Sequence, residues 1–223
     1  MTKKFLYPAN LNISGKLCVV IGGGKVAERK VRGLLRCGAN VKLIGKEILP
    51  SLLRLAQKRE IKVLARNYRG ADLKGAFLVM AATDDESINE KVAADARRAG
   101  IIVNVADKPS LCDFTLPSIV RRGTLSIAIS TEGSAPFFAK AMRKYIEKEI
   151  GREYTLYAKI LSKVREEAIK NNLPQSEKKR IFNKVSDGTL LKMIRRKASL
   201  KEINKFLNKI GAGFSHDNKI QKH

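Results

Sequence analysis

The residues whose types and spacing could do chemistry cluster at a few points in the 223-residue chain. Gly22-Gly23-Gly24-Lys25-Val26-Ala27 forms a G-x-G-x-x-A string. It follows a short β-branched run and precedes a stretch of helical periodicity. In that setting Gly22 permits a tight turn, Gly24 lets the backbone approach a pyrophosphate, and small Ala27 lets the helix pack closely. The positive end of the helix would attract the phosphate charge. A glycine-rich turn without a ligand is the competing reading, and the strand-turn-helix context weighs against it.

Such a unit usually ends its second strand on a carboxylate that accepts hydrogen bonds from a ribose. Here Ile44-Gly45-Lys46 occupies that place, and Glu47 reads as charge at the start of a helix. Lys46 either favours a 2′-phosphate, and hence NADP, or is a solvated lysine. Asp107 falls where a fifth strand ends, on the carboxyl edge where open α/β sheets bind ligands, so it is a candidate proton acceptor. It is equally a turn residue before Pro109. Thr83 is expected to touch a cofactor on the same edge, and Asp84 to cap the next helix.

The elements that must position these residues alternate in the manner of βαβ units around a parallel sheet. Strands are expected at Leu17–Ile21, Asn40–Ile44, Ile61–Ala65, Phe77–Ala82 and Ile101–Val105. Helices are expected at Val26–Arg36, with Gly38 as its left-handed cap, at Leu49–Lys58, and at Ser87–Ala99, with Gly100 just beyond. From Phe114 the rhythm changes. Phe114–Arg121 and Thr124–Ser130 read as two strands with no helix between them, Pro136–Ile150 as a helix, and the remainder as short basic helices running into a frayed tail from Gly211.

Composition bounds the rest. With 44% hydrophobic and 30% charged residues the chain reads as globular, and a membrane span or signal peptide is not expected, which places it in the cytoplasm. Cys18, Cys37 and Cys112 form no paired motif and are expected to be small buried hydrophobes. The histidines, His216 and His223, lie in the tail, so no metal site and no histidine-activated nucleophile is expected. A formal charge of +24 suits an anionic partner, whether polycarboxylate, nucleic acid or membrane surface, or simply a solvated surface.

Gly22-Gly23-Gly24-Lys25-Val26-Ala27-Glu28-Arg29-Lys30, Ala81-Ala82-Thr83-Asp84-Asp85, Asn104-Val105-Ala106-Asp107-Lys108-Pro109, Phe114-Thr115-Leu116-Pro117-Ser118-Ile119 and Ser130-Thr131-Glu132-Gly133-Ser134-Ala135-Pro136 follow one another in order. Together they resemble the dehydrogenase part of siroheme synthase, the precorrin-2 dehydrogenase and sirohydrochlorin ferrochelatase family. The resemblance implies a Rossmann-type α/β domain over 1–113, a small α+β dimerisation segment over 114–150 and a helical C-terminal domain over 151–223. It implies a homodimer that oxidises precorrin-2 to sirohydrochlorin with NAD. Asp107 would be the catalytic carboxylate, as base or as stabiliser of a cationic macrocycle. Lys25, Val26, Gly45 and Lys46 would line the dinucleotide, and Thr131 would face the tetrapyrrole. Many members have Ala-Pro where Gly45-Lys46 stands. Some also insert ferrous iron, and some carry a fused methyltransferase domain that is not expected here. The alternative is an NAD-sensing regulatory module that binds a channel or nucleic acid, although the basic C-terminal helices lack a helix-turn-helix or aromatic-rich reading motif.

Overall fold

The computed structural model describes residues 5–213. The chain divides into two compact units, Met1–Leu116 and Pro117–His223.

The first unit is Rossmann-type. Strands β1 (Leu17–Ile21), β2 (Asn40–Gly45), β3 (Ile61–Ala65), β4 (Leu78–Ala81) and β5 (Ile102–Val105) form one parallel sheet in the order β3-β2-β1-β4-β5. Helix α1 (Lys25–Leu35) follows β1, α2 (Pro50–Gln57) follows β2, and α3 (Glu86–Arg98) joins β4 to β5. The central strands β1 and β4 read as continuous apolar runs because both faces of the sheet are covered there. Val20, Leu43, Leu78 and Met80 pack with Ala27, Val31 and Leu34 of α1 on one face, and Val19, Ile44, Val79 and Val103 with Val92 and Ala96 of α3 on the other. The order reverses between β1 and β4, the switch point where such sheets open a crevice at their carboxyl ends. Gly38 and Gly100 both take positive φ after their helices, as the spacing predicted.

In the second unit β6 (Ser118–Arg122) and β7 (Leu125–Ile129) pair antiparallel, and α4 (Pro136–Glu149) follows. Arg122 reaches from β6 to the end of α4, donating to the carbonyls of Glu147 at 2.9 Å and Ile150 at 2.7 Å. It satisfies helix-end acceptors and sets a positive charge at the negative end of the dipole. Helices α5 (Glu153–Lys170), α6 (Gln175–Ser186), α7 (Thr189–Arg195) and α8 (Leu200–Lys209) enclose a core of Ile160, Val164, Ile181, Leu190, Ile203 and Leu207. Among the described residues no helix is long and apolar enough to cross a membrane.

Three expectations need correction. The first strand after the change of rhythm starts at Ser118, not Phe114. Pro117 has no N–H for a ladder, and the Phe114 carbonyl is taken by the Asn104 side chain. Cys37 is exposed, since it falls in the turn that ends α1, and Cys112 is only partly buried, whereas Cys18 is buried. The tail does not fray at its start: Ala212 is buried and donates to the Leu207 carbonyl at 2.8 Å. The rest of that tail, with His216 and His223, lies outside the described residues.

Candidate functional site

The glycine loop is built by close backbone approach. Gly22 N donates to the Ile44 carbonyl at 2.8 Å, and the Gly23 carbonyl accepts from Leu49 N at 3.0 Å, so the loop is stitched to the chain leaving β2. Gly22 has φ +119°, and a Cβ there would collide with the Ala82 carbonyl after β4. A Cβ on Gly23 would collide with the Glu47 carbonyl. Gly45 backs the loop, where a Cβ would stand 3.2 Å from Gly22 C and Gly23 N. Gly24 is different: nothing lies within 4 Å of the position its Cβ would take, and no side chain caps the amides of α1 that begin beside it. The packed glycines thus hold a turn whose last member and helix start face open space. This is the cradle a pyrophosphate requires.

Around it the carboxyl edge gathers the other candidates. Lys46 is exposed after β2, close enough for its charge to act on Asp85. Thr83, after β4, is turned onto its own loop: its hydroxyl lies 2.9 Å from the Asp85 carbonyl and from Asn89 Oδ1. Buried Asn89 returns a bond to the Thr83 carbonyl, also at 2.9 Å. The cap of α3 is Asp85 rather than Asp84, because Asp85 Oδ1 accepts from the amides of Ser87 and Ile88. The Ser87 hydroxyl and these amides hold the Asp85 carboxyl below the usual carboxylate range.

Asp107 is exposed, two residues beyond β5, with the left-handed φ of +58°. Aspartate adopts that region more readily than most residues, and the turn sets its carboxylate on the sheet edge that carries the glycine loop. Thr131 belongs to the second unit. Its Oγ1 accepts from Ala135 N at 3.2 Å, at the start of α4. Among the described residues no cluster of three or more His, Cys, Asp or Glu could hold a metal ion.

Residues 9–118 match a family model described as "Putative NAD(P)-binding", and residues 122–149 one described as "Sirohaem biosynthesis protein central". The siroheme synthase of Nitrosococcus oceani is 39% identical over 188 residues, 84% of this chain and 40% of that protein. That of Methylobacillus flagellatus is 39% identical over 175 residues, 78% and 37% of the two chains. This chain belongs to the siroheme-synthase family. It spans about 40% of the length of these curated relatives. The solved structure of SirC, precorrin-2 dehydrogenase, superposes with a TM-score of 0.77 at 26% identity, covering 92% of this chain and 99% of that one.

Within the siroheme-synthase motif G-G-G-x-V-A-x-R-K, sequence reasoning missed two things. Gly23, an unconstrained position in a generic dinucleotide loop, has no room for any side chain. Lys30 is buried, 9% exposed, with its ammonium 2.6 Å from Oδ1 of buried Asn104 on β5. Burial, with Arg29 nearby, pushes the Lys30 ammonium below the usual lysine range, while Cys112 and Asp107 act in the opposite sense. The signal was present in the pattern, since Ala27, Lys30, Val31 and Leu34 share the inward face of α1.

Proposed function

We propose that this chain oxidises precorrin-2 to sirohydrochlorin with NAD, as a homodimeric enzyme of siroheme biosynthesis. The observation that carries the reading is the placing of an open glycine cradle and an exposed carboxylate, Asp107, on one sheet edge. The likeness to SirC over nearly all of that protein supports the choice of substrate.

The residues fit the cofactor because Gly24 leaves a void where any side chain would block backbone approach, and the uncapped start of α1 supplies amide donors. Lys25 and Val26 would hold the pyrophosphate side of the dinucleotide, with Gly45 and Lys46 beside the adenosine and Thr83 closing the loop. When bound, the nicotinamide supplies a hydride acceptor. The Asp107 carboxylate takes the proton that leaves the macrocycle, or offsets positive charge as it develops there. Thr131 would line the tetrapyrrole pocket. The excess of lysine and arginine favours encounter with a polycarboxylate macrocycle.

An anaerobic absorbance assay tests the reading: sirohydrochlorin should form from precorrin-2 only when NAD is added, with NADP run alongside because Lys46 bears on that preference. Asp107→Ala should lower kcat by roughly 10²-fold or more with NAD affinity little changed. A variant with near-normal turnover would reduce Asp107 to a turn residue. Iron insertion into sirohydrochlorin, measured in the same variant, separates a dehydrogenase role from a chelatase role.

A further inference from the structure

We propose that Lys30 is a positioning residue for the Asp107 carboxylate: its buried ammonium, held on Asn104 Oδ1, fixes the turn that carries Asp107 against the helix that opens on the glycine loop. The inference rests on the reading of Asp107 given above.

A lysine buried beside a neutral amide is costly, and the apolar face of α1 would pack better with a leucine or methionine there. The arrangement therefore calls for a use. Lys30 sits on the second turn of α1, one turn below the cradle, and Asn104 lies three residues before Asp107. Asn104 is a junction. Its Oδ1 accepts from Lys30, and its Nδ2 donates to the Phe114 carbonyl at 2.9 Å, where the chain returns from the Asp107 turn. The return is closed further by Asp113, whose amide donates to the Val103 carbonyl at 2.8 Å and whose Oδ2 accepts from Val103 N at 2.9 Å. The Cys112 thiol lies 3.1 Å from Val105 N and 3.2 Å from the Val105 carbonyl. Lys108 is paired with Glu86 and Glu90 of α3, each at 3.0 Å.

The Asp107 turn is thus held at its base and flank by bonds within its own segment and to α3. Lys30–Asn104 is the bond that ties it to α1, the element that carries the dinucleotide cradle. A hydride and a proton must leave neighbouring parts of one macrocycle. The separation between cradle and carboxylate then decides whether both groups reach it, and a displacement of an ångström at such a contact costs on the order of 10²-fold in rate.

The experiment is a double-mutant cycle on kcat with Lys30→Met and Asp107→Ala. Methionine fills the volume of the lysine stem without the buried charge, so the variant should fold, and its melting shift with NAD should match that of the unaltered protein. In the Asp107 background Lys30→Met should lower kcat by roughly 10- to 100-fold with KM for both substrates changed less than about threefold. In the Asp107→Ala background it should lower kcat by less than about twofold, because no carboxylate remains to be positioned. Equal losses in both backgrounds, or none in either, would overturn the proposal while leaving a slow Asp107→Ala, and with it the proposed function, intact. Normal turnover by Asp107→Ala would overturn both this proposal and the catalytic reading of Asp107 on which it rests, while precorrin-2 oxidation itself would stand. Should Lys30→Met fail to fold, Lys30→Leu, which likewise removes the bond to Asn104 Oδ1 and suits the apolar face of α1, takes its place in the cycle with the same expected pattern.

Discussion

Three adjacent glycines in one loop carry two different kinds of constraint. At Gly22 and Gly23 the neighbouring carbonyls of Ala82 and Glu47 occupy the space of a side chain, whereas at Gly24 the space belongs to solvent and, in the proposed function, to a ligand. Substitutions at the two kinds of position should therefore fail in different ways. Gly24→Asp should leave the melting temperature of the free protein nearly unchanged and abolish the stabilisation by NAD, because the new carboxylate meets the pyrophosphate. Gly23→Ala should lower the free protein's own stability by about 1–3 kcal/mol, as overpacking does. Thermal melts with and without NAD check both, and a full NAD shift in Gly24→Asp would remove the cofactor from this loop. At this scale the pattern of residue types made the tight glycine turn legible and marked Asp107 and Lys46 as candidates. It did not make Gly23, Lys30 or Asn104 legible, because what constrains them are backbone and side-chain atoms far away in sequence. The choice of Asp85 over Asp84 as the cap of α3 turned on one residue of register, which composition near a helix start does not specify.

Strands and helices of the first unit stood out because hydrophobic period and glycine stops agree at almost every border. In the second unit a border moved for a local cause, the missing N–H of Pro117, which delays the strand to Ser118. Short 3₁₀ turns had no period to betray them, among them the one at Gly70–Leu73, after β3. Its Asp72 is 5% exposed and accepts from Arg66 Nη2 at 2.6 Å, Arg66 Nη1 at 2.9 Å and Arg69 N at 2.9 Å. The Arg66 guanidinium, above all, holds this carboxyl below its ordinary value near 3.8. A depressed folded pKa means stability that is present above the ordinary value and lost as pH falls through the depressed one. Asp72→Asn should thus cost about 1–3 kcal/mol at neutral pH, the scale of charged hydrogen bonds. The two proteins' melting temperatures should converge as pH falls from about 4 towards 2. Parallel curves over that range would show that the charge of Asp72 contributes nothing to the turn.

At the scale of the whole molecule, two adjacent large apolar side chains of α4 stand exposed, Phe137 at 77% and Phe138 at 53%. Isolated apolar residues on a surface are ordinary, but adjacent phenylalanines with Tyr145 on the same helix suit the expected subunit contact. Light scattering should give twice the 24.8 kDa chain mass at micromolar concentration, and Phe137→Glu should shift the protein to a monomer with an unchanged melt of its folded units. A wild-type monomer under those conditions would count against the homodimer. The sheet has a comparable exposure on paper, since β5 is its last strand. Yet the outward-facing peptide groups of Val103 and Val105 are already engaged, by Asp113 and by the Cys112 thiol. The segment that returns from Asp107 therefore also seals a sheet margin against addition of a foreign strand, the usual seed of aggregation. A lesion in this stretch should therefore cost solubility and, under the proposed function, turnover as well.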